Sequence, residues 1–263
     1  MDNNFTSQRA LVGGSTQGIG RAVAEELAQR GATITLLARD EVKLREVAAA
    51  LPTPAGQHHT YLVADFTAPE TLSQRLHEYL TTQPEGFHIL VNNTGGPAGG
   101  PILEASVDAF RAAFEQHLVC NHLLVQAVVP AMQARQHGRI INIISTSVKQ
   151  PLPGLGVSNT IRGAVANWAK TLATELGPHG ITVNNVLPGA TVTQRHTSLI
   201  EKKVAQTGQT VEEIEAAMLK TIPAHRFGQA TEVAAAVAFL ASEAAGYING
   251  INVPVDGGRT GNL

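Results

Sequence analysis

Apolar residues fall into seven short runs, at 8–13, 32–38, 59–64, 87–92, 138–144, 180–187 and 250–255. Several of these runs show little alternation, the pattern of strands covered on both faces, as in a parallel sheet. Between the runs, apolar positions recur at helical spacing. Ile19, Val23 and Leu27 share one face of a segment opening at Gly18, and a second helix is expected over 40–51. A long helix over 106–136 carries Phe110, Phe114, Leu118 and Val125, and a fourth over 155–177 carries Ile161, Val165, Trp168, Leu172 and Leu176. Each spacing makes one buried stripe. This alternation predicts a single α/β domain over 1–263: a doubly wound, Rossmann-type parallel sheet of about seven strands with helices on both faces. Residues 194–222 break the rhythm. They are polar and helix-prone, and read equally as a lid over a substrate or as a surface pair of helices.

A length of 263 residues is enough for one such domain and short for two. The formal net charge of -2, with no long basic run, argues against a nucleic-acid partner, since binding of that kind rests on phosphate neutralisation. The single cysteine, Cys120, rules out an intrachain disulfide and reads as a small core residue in an apolar helical stretch. No apolar run is long enough to span a bilayer, and the N-terminus lacks a signal-peptide core, so a cytoplasmic protein without a membrane partner is expected. His58, His59, His117 and His122 lack the helical spacing and third partner of a metal site, so no metal is expected. His137 reads as a solvated loop residue.

The first strand runs into Gly13-Gly14-Ser15-Thr16-Gln17-Gly18-Ile19-Gly20, and a helix follows. Glycines are needed there because a Cβ would block the backbone from a pyrophosphate, which backbone N–H groups and the positive helix end then hold. A strand before and a helix after make this a dinucleotide site. The second strand ends Leu37-Ala38-Arg39-Asp40. An arginine there accommodates a 2′-phosphate, whereas an acid binds ribose hydroxyls, so NADP(H) is expected in preference to NAD(H). Asp40 reads as the N-cap of the next helix.

These residues resemble the short-chain dehydrogenase/reductase family along essentially the whole chain. The marks are Gly14-x-x-x-Gly18-Ile19-Gly20, Asp65, Asn92-Asn93-Thr94-Gly95, Ser145, Pro188-Gly189 and Val255-Asp256-Gly257-Gly258. Arg226-Phe227-Gly228 through Glu232-Val233 and Phe239-Leu240 add to them, and the general likeness is to 3-oxoacyl carrier-protein reductases. The resemblance implies Asp65 at the adenine with Phe66 beside it, and Asn92, Thr94 and Gly95 along the cofactor. It also implies further cofactor contacts from Pro188, Gly189, Thr191 and Thr193, and a homodimer or homotetramer formed through 155–177 and 230–255.

The family's usual site combines Asn, Ser, Tyr and Lys. Here Ser145 is retained, Ser158 stands at the Tyr position, Arg162 at the Lys position and His117 at the Asn position. The three tyrosines, Tyr61, Tyr79 and Tyr247, all lie elsewhere in the chain. An alkyl hydroxyl is a weaker acid than a phenol. Arg162 keeps a positive charge and several donors, for the nicotinamide ribose or a developing alkoxide, but gives no proton near neutral pH. His117 reads either as a relay feeding a proton through water or as a helix histidine bonded to backbone or water. Three functions follow: an NADP(H)-dependent oxidoreductase on a small carbonyl/alcohol pair, a catalytically silent NADP(H) or nucleotide sensor, and a structural subunit. The first is favoured because the cofactor residues and Ser145 are retained.

Overall fold

The computed structural model describes residues 4–262 and places a strand in each apolar run. β1 (Arg9–Gly13) leads into α1 (Gly18–Gln29), β2 (Thr33–Ala38) into α2 (Glu41–Ala50), and β3 (Thr60–Val63) into α3 (Pro69–Thr82). β4 (Ile89–Asn92) is followed by α4 (Val107–Phe114) and α5 (Cys120–Ala134), then β5 (Gly138–Ile143), α6 (Gly156–Leu176) and β6 (Ile181–Pro188). A short β7 (Thr191–Val192), α7 (Gln194–Thr207), α8 (Val211–Leu219), β8 (Gly228–Gln229), α9 (Ala230–Ala241) and β9 (Asn252–Val255) complete the chain. Seven strands make one parallel sheet in the order β3-β2-β1-β4-β5-β6-β9, and β7 pairs with β8 alone. The chain order reverses between β1 and β4, and in open α/β sheets ligands bind at the carboxyl ends beside such a point.

The sheet is apolar on both sides because both sides are covered. Val12, Ile34, Ile89 and Ile141 pack with Val23 and Leu27 of α1 and Val237 of α9. Their neighbours Leu11, Leu37, Leu90 and Ile140 point the other way, onto Leu76 of α3, Leu124 of α5 and Ala169 of α6. Each such side chain contributes about 1.5–3 kcal/mol by leaving water.

Two elements differ from the sequence expectation, and the helix-prone segment 194–222 is helical as its composition suggests. Residues 69–82 gave no periodic signal, yet form α3; only Leu72 and Leu76 are buried there, a stripe too narrow to stand out among polar neighbours. The expected single helix over 106–136 is one helical run with a π turn at Glu115–Val119 between α4 and α5. The turn holds one residue more than an α turn, and His117 within it is fully buried. Residues 194–222 form the helical pair α7–α8, anchored by buried Ile200, Ile214 and Ile222.

A row of asparagines crosses four strands. Asn92, Asn142, Asn185 and Asn252 are in register, and each amide nitrogen donates to the next side-chain oxygen at 2.8–2.9 Å. Such a row lets buried polar groups satisfy one another inside the sheet.

Candidate functional site

The glycine turn after β1 is closed on itself. Gly14 and Gly18 both have φ of +56°, the left-handed region open to glycine. A Cβ on Gly14 would lie 2.7 Å from Asn93 Nδ2, and one on Gly20 would lie 2.2 Å from the Gly14 carbonyl oxygen. Asn93 Nδ2 donates to the carbonyls of Gly13 and Gly14, fixing the turn from outside. Leu37 N–H donates to Ser15 Oγ at 3.0 Å, tying the turn to β2. Gln17, the residue before α1, makes no side-chain cap, and the first turn holds no acid. The leading N–H groups and the positive helix end are therefore left for an anion. Thr16 and Ile19 are half-buried and Gln17 exposed along this turn.

Arg39 is exposed at the end of β2 and has no ion pair or acceptor among the described residues. Asp40 beside it is committed to the cap of α2, accepting from Lys43 N–H at 3.1 Å, and that bond draws its carboxyl below the usual range. A glycine turn closed to Cβ atoms at Gly14 and Gly20, an uncapped helix start and a cation one strand away without an ion pair among the described residues together fit a dinucleotide carrying an extra phosphate.

Several other expected cofactor residues are engaged within the protein. The Asn92 side chain, expected along the cofactor, is buried and donates to Asn142, so only its backbone is near the cleft. Phe66 is buried against Gly13, and Asp65 accepts from Thr67 N–H. Gly95 is open: a Cβ there would meet nothing within 4 Å. Gly189, after Pro188, has room for no Cβ, since one would sit 2.7 Å from Asp256 Cβ. Thr191 donates to the Gly189 carbonyl, and Thr193 caps α7 with its methyl 3.4 Å from the Cβ position of Gly18.

Ser158 and Arg162 stand on α6, which packs against the π turn carrying His117 and against the short turn that follows Ser145, two residues beyond β5. Ser147 N–H donates to Ser145 Oγ at 3.1 Å, which leaves the Ser145 hydroxyl proton free to donate. Ser158 is buried at the third residue of α6. Arg162 Nη1 donates to the Ile143 carbonyl at 3.1 Å; Nη2 and Nε have no protein partner among the described residues. Burial and the charge of Arg195 bring the Arg162 guanidinium down to about 10, so it stays cationic at neutral pH. Tyr79 bonds Thr35 and Thr60, Tyr61 bonds Glu41, and Tyr247 lies on the surface, so no phenol joins this centre.

His117 bonds the Thr94 hydroxyl through Nδ1, and its Nε2 is buried with no protein partner among the described residues. Burial first, then the charges of Arg162 and Arg195, push its pKa down to about 3. The ring is neutral at physiological pH and orders Thr94 rather than carrying a charge. Arg195 gave no signal in the sequence. It donates from α7 to the carbonyls of Gly96 and Pro97, latching the helical pair to the loop after β4. Only the fold brings positions so far apart into contact. Cys120 is a core residue whose Sγ donates to the Phe66 carbonyl, and burial raises its thiol to about 11. His137 is not simply solvated: its ring is half-buried, 3.6 Å from Glu243.

The depressed histidines set a pH dependence. His117 titrates near 3 and His88 near 4 in the folded chain, against 6.5 when free. Between those values the unfolded chain binds more protons, so the stability they contribute is complete above about pH 6.5 and drains away as pH falls toward 3. The unfolding midpoint should drop steadily from pH 7 to pH 4. His117→Asn, which keeps an amide toward Thr94 but cannot titrate, should flatten that slope. An unchanged slope in the variant would remove His117 from the account.

Comparison with known proteins adds to this geometry. A family model described as enoyl-(acyl carrier protein) reductase matches residues 14–260. A 3-oxoacyl-[acyl-carrier-protein] reductase of Haemophilus influenzae is 34% identical over 249 residues, covering 95% of this chain and 96% of that protein. The NADPH-dependent reductase BacG of Bacillus subtilis is 28% identical over 254 residues, covering 97% and 98%. The crystal structure of L-sorbose reductase from Gluconobacter frateurii, complexed with NADPH and L-sorbose, superposes with a TM-score of 0.93 at 32% identity, with 100% of each chain covered.

Proposed function

The chain belongs to the short-chain dehydrogenase/reductase family, and from that premise we propose that it is an NADP(H)-dependent oxidoreductase reducing a small-molecule carbonyl, a 3-oxoacyl group or another ketone, to an alcohol. The observation that carries this reading is the glycine turn ahead of an uncapped helix, with Arg39 beside it and without an ion pair among the described residues. The names of the relatives point the same way, toward NADPH and toward the reduction of a 3-oxoacyl group or a sugar.

The dinucleotide, when bound, supplies the hydride, and water supplies the proton that completes the alcohol. The chain's own residues hold the carbonyl oxygen and the charge that grows on it. Ser145 donates its free hydroxyl proton to that oxygen, its lone pair already engaged by Ser147 N–H. Arg162 places a fixed positive charge nearby, with Nη2 and Nε left for the ribose or the oxygen. Ser158 adds a hydroxyl without the acidity to deliver a proton. His117 keeps Thr94 in place as a neutral ring. General acid assistance is worth about 10²–10⁴ in rate, so a centre without a phenol turns over slowly.

The missing phenol also favours a second reading, a silent NADP(H) or nucleotide sensor on the same fold. One experiment separates the two: direct NADPH binding beside NADPH oxidation with 3-oxoacyl, diketone and aldehyde substrates. Turnover supports the reductase, binding without turnover the sensor, and failure to bind overturns both. In the same measurements Arg39→Ala should weaken NADPH by about 10–100-fold, the worth of a charge-assisted hydrogen bond, and leave NADH nearly unchanged. Equal weakening of both cofactors would remove Arg39 from the 2′-phosphate.

We assign α7–α8 as the cover over the substrate, held by Arg195. The proposed self-association, as a dimer or tetramer, would run through 155–177 and 230–255, and the exposed Phe239, Tyr247 and Ile251 of the second segment support it. Among the described residues no helix is long and apolar enough to cross a membrane, and the proposed setting is the cytoplasm.

A further inference from the structure

A cavity of about 210 Å³ opens between the loop after β5, the segment after α8 and the C-terminal tail. Thr146, Gln150, Leu152, Thr221, Arg259 and Thr260 line it, together with two prolines. Its wall begins one residue beyond Ser145. It lies on the β5–β9 side of the sheet, away from Arg39 at the end of β2.

Arg259 is the one charged group in the lining. It is half-buried, and its guanidinium has no ion pair or side-chain acceptor among the described residues. The neighbouring carboxylate, Asp256, is committed to backbone, accepting from Gly258 N–H at 3.0 Å and Thr260 N–H at 2.8 Å. A guanidinium partly withdrawn from water without a counter-ion is unfavourable, and a carboxylate relieves it through paired N–H donors.

The walls are fixed before any ligand arrives. Asn159 holds Leu152 at both ends, donating to its carbonyl at 2.9 Å and accepting its N–H at 3.4 Å. Asn262 donates to the Lys149 carbonyl at 2.7 Å, stitching the tail to the loop after β5. Around the adjoining centre, Arg162 and Arg195 likewise have no carboxylate partner among the described residues, which gives this side of the cleft a positive sign.

We propose that this cavity receives the carboxylate of an oxo-acid substrate, with Arg259 as its counter-ion and the reducible carbonyl at Ser145. The proposal rests on the reductase reading. One guanidinium among uncharged hydroxyls and an amide balances a single negative charge, which suits a carboxylate better than a phosphate dianion. Substrates would then be small oxo acids whose two oxygen functions are separated by a short carbon chain.

The test is calorimetric titration of the protein in the presence of NADP⁺ with 2-oxo and 3-oxo acids of four to eight carbons and with their methyl esters. The acids should bind about tenfold or more tightly than the esters, the worth of one charge-assisted contact. Arg259→Gln should erase that preference, Arg259→Lys should keep part of it, and NADP⁺ affinity should be unchanged in both. The proposal is overturned if acid and ester bind alike, if neither binds, or if the preference survives in Arg259→Gln. It is equally overturned if the preference disappears in Arg195→Gln and not in Arg259→Gln. If NADP⁺ itself fails to bind, the dinucleotide reading falls separately, and the acid-to-ester ratio of the cofactor-free protein decides the cavity.

Discussion

Gly20→Ala is expected to abolish measurable NADPH binding in a protein that still folds. An alanine Cβ at this position would sit 2.2 Å from the Gly14 carbonyl oxygen and 2.7 Å from Asn93 Nδ2. Neither neighbour is a flexible side-chain end free to move aside: one is backbone, and the other is pinned by donation to Gly13 and Gly14. The turn must open, and the N–H groups proposed to hold the pyrophosphate then point elsewhere. A loss of at least about 100-fold, equivalent to about 2.7 kcal/mol, is the scale expected when an anion loses such a cradle. Gly163→Ala is the matched control. It lies in the interior of α6, where a Cβ would meet nothing within 4 Å. Helix propensity alone should make that variant more stable by about 0.5–1 kcal/mol, with NADPH affinity unchanged. Fluorescence titration with NADPH and thermal melts of both variants check this. Normal affinity in Gly20→Ala would mean that the dinucleotide does not use this turn.

Ser145→Ala should lower kcat/KM by about 10²–10³ while NADPH affinity stays as it was, the usual cost of removing one donor to a developing oxyanion. The serine does not hold the fold together through this hydroxyl beyond one bond from Ser147 N–H. Its loss should therefore appear in turnover more than in melting temperature. The control is the NADPH binding constant in the same preparation. A change within twofold in kcat/KM would show that the carbonyl is held elsewhere, with Arg162 the first residue to examine.

The strands were legible because most are short, mainly apolar runs, the mark left where a sheet is covered on both faces, as at β1, β2, β4 and β5. α3 was not legible: two buried leucines among polar neighbours carry too little amphipathic contrast. The π turn was invisible as well, since one extra residue in a helix alters neither composition nor the visible period over a long segment. The role of Asp40 as a cap was readable because capping is local, decided by a side chain and the backbone three residues on. The partner of His117 was not, because Thr94 belongs to another element and meets it only across the folded cleft.

By itself the sequence determined the doubly wound sheet and the glycine turn at the end of β1, and it named Ser145, Ser158, Arg162 and His117 as the residues of the proposed centre. These depend on local spacing, on missing Cβ atoms and on identity at a position. The tertiary structure alone decided the asparagine row, the latch from Arg195 to Gly96 and Pro97, the neutral state of His117 and a guanidinium of Arg259 with no counter-ion among the described residues. Each of these depends on which groups lie within a few ångströms and how much water remains around them. Distance and hydration exist only once remote parts of the chain have packed together.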